Sequence, residues 1–235
     1  MQILSNKSDV QDMMADKEMR KDIVASIIIR DIVWYAIGEQ FLNNSKHHAG
    51  EDCNKLFLDF EHLFEEEYEL KHRVCLKQQA LYTKLKNEPG HKKWRTLVAE
   101  DQSQKLLAKI GVFLQPGFDL ERDHVLNELY VKGYRIGFRL RMEAAVKWKI
   151  TWPVAGVEVN FKWMVNQTRN LYGDPATTYR KLIEDPNRYF VRFAVTPTFT
   201  MLDFSSGVEE KTVAHSALIH VGHRGVLSHR DDAKV

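Results

Sequence analysis

Cysteine is almost missing from this chain. Cys53 and Cys75 are the only two in 235 residues, both fall in a stretch that reads as helix, and nothing else suggests a disulfide framework, so a reducing compartment is the simpler reading. An excess of either charge is missing as well. The formal net charge is +2, which leaves no global field to draw the chain toward nucleic acid or anionic lipid, and any basic site has to be local. Residues 1–14 place Asp9 and Asp12 where a signal peptide needs a basic patch and an apolar core, and they lack the Arg-rich composition of an organelle transit peptide. These absences together predict a cytoplasmic or nuclear protein, in which the Asn-x-Ser/Thr triplets at Asn6, Asn43 and Asn166 are chance occurrences.

Catalytic signatures are missing too. There is no Gly-x-Ser-x-Gly elbow, no P-loop, no Gly-x-Gly-x-x-Gly and no kinase set, so nothing nominates a nucleophile and no cofactor is expected. Two Glu-x-x-His pairs, Glu69 with His72 and Glu121 with His124, have the spacing used by di-iron bundles, with Glu39 and Glu100 as further candidates. Glu69 and His72, however, sit opposite the apolar stripe of their helix, so this reading is set aside. His47, His48, Cys53, His72 and Cys75 invite a zinc hypothesis, but no Cys-x-x-Cys or His-x3-His pair accompanies them, and no metal is expected. His215 and His220 fall on opposite faces of one strand. An enzyme would require a concave site holding one of them beside a carboxylate.

No linker, repeat or low-complexity run divides the chain. The expectation is one α+β domain over residues 9–223, an N-terminal long-helix bundle (9–150) packed on a small C-terminal antiparallel sheet in a mixed helix and strand segment (151–223), flanked by polar tails at 1–8 and 224–235.

A first helix is expected to start at a capping box formed by Ser8 and Gln11 and to run to Asn43 or Asn44. Residues 23–42 are apolar almost all round and long enough for a membrane span. Arg30 and Asp31 at the middle would each cost about 2.5–3.5 kcal/mol there, so a buried core helix is the reading, with no constitutive span. A second helix over 51–86 carries Leu56, Phe60, Leu63, Leu70, Val74, Leu81 and Leu85 as its core stripe, and Asn87-Glu88-Pro89-Gly90 breaks it. A third covers 91–110.

Residues 119–148 admit two readings. As a strand pair, Tyr134, Ile136, Phe138, Leu140 and Met142 alternate with arginines, but the turn would fall on the helix formers Glu143, Ala144 and Ala145. The helix is preferred, with Leu126, Leu129, Tyr130, Gly133, Ile136, Gly137, Leu140, Ala144 and Trp148 on one face, and with Gly133 and Gly137 spaced to admit another helix. Further on, 163–172 and 176–183 read as short helices and 157–159 as a short strand. Residues 189–204 read as a strand with an edge or bulge at Pro197, returning over 211–221 after a connection centred on Gly207.

The functional expectation is an interaction or assembly module for a protein partner, or for a second copy of itself, without an evident catalytic site. The first alternative is single-stranded RNA binding through the basic and aromatic segment 132–152. There Lys132, Arg135, Arg139, Arg141, Lys147 and Lys149 would meet phosphates, and Tyr134 with its aromatic neighbours would stack on bases. In the helical reading Glu128 and Glu143, four residues from Lys132 and Arg139, consume part of that charge. The second alternative is a small-molecule enzyme with a pocket between helices and sheet.

Overall fold

Residues 11 and 13–15 are already helical, the chain bends at Asp16, and Asp16 caps α1, Lys17–Ile32: its Oδ1 accepts from the backbone N–H groups of Glu18 and Met19 at 2.8 and 3.0 Å. In the computed structural model, which describes residues 11, 13–63, 67–113, 119–168, 171–172 and 174–223, the capping box expected at Ser8 lies outside the described residues. The helix does not continue to Asn43. It widens into a π turn over Val33–Ile37 and stops at Gly38, whose N–H donates to the Val33 carbonyl at 2.5 Å. A short α2, Phe41–Asn44, follows. Among the described residues no helix is long and apolar enough to cross a membrane.

The expected helix over 51–86 is two, α3 (Gly50–Glu61) and α4 (Tyr68–Lys86). After α3 the chain turns at residues 62–63. Phe60 on α3 and Leu85 on α4 are buried as expected, but the rest of the buried face of α4 departs from the leucine stripe: Lys71, Cys75, Gln78 and Tyr82 turn inward, while Leu70 is 44% exposed. Packing of Tyr82 on Phe41 and Phe138, with ring centroids 5.9 and 5.6 Å away, sets that phase. The third helix, α5, covers His91–Ile110 as expected.

Both readings of 119–148 hold over part of their length. Helix α6 spans Asp119–Arg141, the chain turns, and β1 covers Val146–Thr151. Ala145 makes the turn by adopting φ 55°, and its carbonyl accepts from the Phe204 N–H at 2.8 Å. Glu143, instead of extending the helix, accepts from the Trp148 indole N–H at 2.7 Å.

The α+β fold forms two compact units. One comprises Met1–Ser26, Thr151–Phe199 and Val213–Val235. Its sheet has the order β2-β6-β3: Met164–Asn166 (β2) runs parallel to Ala217–His223 (β6), and Tyr189–Ala194 (β3) runs antiparallel to it. The helix expected over 163–172 is therefore replaced at its start by β2, whose backbone pairs with β6. Helix α7, Pro175–Glu184, is capped by Asp174, which accepts from the Thr177 N–H at 2.8 Å, with Pro175 at its first turn. The expected strand over 189–204 breaks at residues 195–197 and its return breaks at Ser216. Next to Pro197, Thr196 Oγ1 and the β6 backbone take over the pairing, with Leu218 N–H donating to that hydroxyl at 2.9 Å.

The other unit comprises Ile27–Ile150 and Thr200–Thr212. The second sheet, with order β1-β4-β5, uses β4 (Thr198–Asp203) and β5 (Glu210–His215). At the helical centre of this unit the π turn crosses α6 at its two glycines. A Cβ on Gly133 would lie 2.9 Å from the Ile32 side chain and 3.0 Å from that of Ala36, and one on Gly137 would run into the Ala36 carbonyl. This is the close approach that the glycine spacing predicts. Asp31, in the middle of the apolar stretch, is accommodated by the Tyr130 hydroxyl and by Lys109 at 3.2 Å. The buried side of α6 is Leu126, Tyr130, Tyr134, Phe138 and Arg141, whereas Leu129 and Ile136, expected inside, are 38% and 45% exposed.

Gly137→Ala is expected to lower the unfolding free energy by about 2–3 kcal/mol, because the backbone of the π turn cannot yield as a flexible side chain would. Gly111→Ala, at a helical φ of −52° with open space around it, is expected to raise it by about 0.5–1 kcal/mol. Urea denaturation of the two variants checks the contrast.

Candidate anion-binding cleft

Helix α5 begins at His91, after the Asn87-Glu88-Pro89-Gly90 break, and carries His91 and Arg95 one turn apart on one side. Helix α6 presents Arg135 and Arg139 at the same spacing, followed by Met142 and Glu143. With Lys86 from the end of α4 and the edge of Phe138, these residues line a cleft of about 610 Å³. One side of it is aromatic: the His91 ring stands edge-on to Phe138 with centroids 4.5 Å apart.

Four cations, Lys86, Arg95, Arg135 and Arg139, therefore face one carboxylate, Glu143. That carboxylate is engaged by Trp148. Among the described residues none of the four forms an ion pair, and His91 Nδ1 and Arg95 Nε have no hydrogen-bond partner. Burial lowers the proton affinity of His91, Arg95 beside it adds to the effect and Glu88 opposes it. Arg95 is lowered by burial and then by Arg135. A set of guanidiniums with unspent donors over an apolar floor suits an oxyanion.

The seven residues nominated from the sequence do not share a surface. Arg135 and Arg139 are in the cleft. Lys132 is exposed and pairs with Glu128 at 3.5 Å, as its spacing predicts. Lys149 pairs with Glu61 at 3.8 Å. Tyr134 is fully buried, its hydroxyl 2.9 Å from Ser45 Oγ, and offers no face for stacking. Arg141 and Lys147 are each 3% exposed and lie in the interior. The helix continues the glycine face to Arg141, and β1 begins inside, which separates these two cations from the outward pair. Lys86, His91 and Arg95 were missed because they come from other helices; the one-turn spacing of His91 and Arg95 was their only local signal.

His220 does lie beside a carboxylate, with Nε2 2.7 Å from Asp22 Oδ2 and Nδ1 3.4 Å from Thr168 Oγ1. Its ring is 4% exposed and stacks on Phe193 at 4.5 Å, so both nitrogens are committed to a buried tie between α1 and β6. His215 is exposed. Cys53 and Cys75 are free and buried, and burial pushes both thiols up to about 11, which keeps them as unreactive thiols. Among the described residues no group of three His, Cys, Asp or Glu side chains is placed to hold a metal ion. No family model, no curated protein and no solved structure matches the chain.

His47 is buried, Nδ1 accepts the Ala49 N–H at 3.1 Å, and its pKa is lowered to about 4 by burial, then by His48 and against Glu88. Folding thus reduces proton binding at His47 and His91, and also at buried His220, so the unfolded chain binds more protons below about pH 6.5. These histidines leave stability flat between about pH 6.5 and 8 and lower it between about pH 6.5 and 4, each group adding a slope of at most about 1.4 kcal/mol per pH unit. Melting curves across this range check it: His47→Asn, which keeps an acceptor without the titration, should flatten the decline.

Proposed function

We propose that the unit containing α2–α6 binds the phosphates of single-stranded nucleic acid in the α5/α6 cleft, in a cytoplasmic or nuclear protein. The observation that carries this reading is the group of four cations without ion pairs among the described residues around the cleft. Arg135 and Arg139 belong to the segment first nominated from the sequence; Lys86, His91 and Arg95 extend it from the facing helices. A volume of about 610 Å³ is of small-ligand size. It accepts a nucleotide unit of a strand and has no room for a duplex. Single-strand binding through three or four such contacts has a salt slope of about −2 to −3 in log K against log salt.

Fluorescence anisotropy with a labelled mixed-sequence RNA, competed by inorganic phosphate and by a nucleoside monophosphate, tests the reading. Arg135→Gln with Arg139→Gln is expected to weaken binding by roughly tenfold or more per lost charged contact and to flatten the salt slope by about 0.7 for each. Equal competition by the monophosphate would assign the cleft to a small ligand, and no binding at low salt would remove the proposal.

A second reading, docking of a protein partner or a second copy, is favoured by Val125, Leu129 and Ile136, which are 56%, 38% and 45% exposed and lie within roughly 40° of one another around α6. Light scattering after size exclusion checks the self-association arm. A dimer broken by Leu129→Lys supports it, and a monomer up to high concentration removes it.

A further inference from the structure

The geometry points to a second binding site, enclosed within the helices of the same unit and built around Arg141, for a small oxyanion. This inference does not depend on the cleft. Arg141 is 3% exposed and neither of its terminal nitrogens has a hydrogen-bond partner among the described residues. Its guanidinium faces the Phe41 ring at 5.8 Å, and the polar groups within electrostatic reach are Tyr82, Glu39 and Cys53. An arginine cannot deprotonate to escape burial, so a buried guanidinium requires an acceptor.

Glu39 does not meet that need. Its Oε2 lies 3.7 Å from Lys147 Nζ, a second cation that is 3% exposed, and its Oε1 is itself without a partner among the described residues. Lys147 in turn sits over the Phe57 and Phe60 rings at 4.8 and 4.7 Å, and the next acid near it, Glu61, is taken by Lys149. The interior thus holds two cations to one carboxylate. A single small oxyanion on Arg141 balances the charge and receives the unspent N–H donors in the paired geometry a guanidinium favours. If it carries a proton, as hydrogencarbonate and monohydrogen phosphate do, it also has a donor to offer Glu39 Oε1. The Phe41 ring beside the guanidinium and the burial of Arg141 lower the local dielectric and strengthen the contact.

The test is thermal unfolding of the full chain at fixed pH and constant ionic strength, replacing chloride by phosphate in one series and by hydrogencarbonate in another. At about a hundredfold excess over Kd, one bound anion should raise Tm by about 5–10 °C. The rise should persist in Arg135→Gln with Arg139→Gln, which disables the cleft, and vanish in Arg141→Met. If Arg141→Met does not fold, equilibrium dialysis of radiolabelled phosphate and of hydrogencarbonate against the cleft variant decides: one anion retained per chain supports the site. No shift in either series, an equal shift in Arg141→Met, or loss of binding in the cleft variant overturns it.

Discussion

The close crossing of the π turn over Gly133 and Gly137 is the contact on which the rest of the helical unit depends. It brings the Ala36 carbonyl against a helix surface with no side chains, and this fixes the rotation of α6 about its own axis. With that rotation set, every other residue of the helix has its direction assigned. Tyr134 and Phe138 turn into the aromatic core shared with Phe41, Tyr82 and Trp94, and Tyr130 turns in to donate to Asp31. Arg135 and Arg139 turn out.

The same rotation divides one basic segment into two sites of different character. Positions 133, 137 and 141 are one turn apart, so the ladder that begins with two glycines ends with a buried guanidinium. The π turn also ends in Gly38, which delivers Glu39 to Lys147. Inward and outward arginines therefore have opposite electrostatic circumstances. Arg135 and Arg139 are exposed and available, and Arg141 is dehydrated, with the energetic demand for an acceptor that dehydration brings.

Much of this was legible in the sequence where local physics decides. The α+β class, helix α5, the break at Pro89, the interruption near Pro197 and the use of the glycine pair all followed from periodicity and turn chemistry. What was not legible depended on tertiary packing. Leu70, Leu129 and Ile136 were assigned inside because they are apolar, yet aromatic packing and the glycine crossing chose the neighbouring faces. Glu143, Ala144 and Ala145 were judged unable to turn, but a hydrogen bond from Phe204 holds Ala145 in a conformation its own preference opposes. Arg141 and Lys147 were counted as surface cations because composition cannot tell an inward charge from an outward one. The spacing of Arg141 from Gly137 carried that information all along.

The most direct measurement is hydrogen–deuterium exchange of the full chain with and without a single-stranded RNA at low salt. The account predicts slowed exchange confined to the end of α4, the first turns of α5 and the second half of α6, spanning Lys86, His91, Arg95, Arg135 and Arg139. Protection centred elsewhere in the chain, with α5 and α6 unchanged, would contradict it.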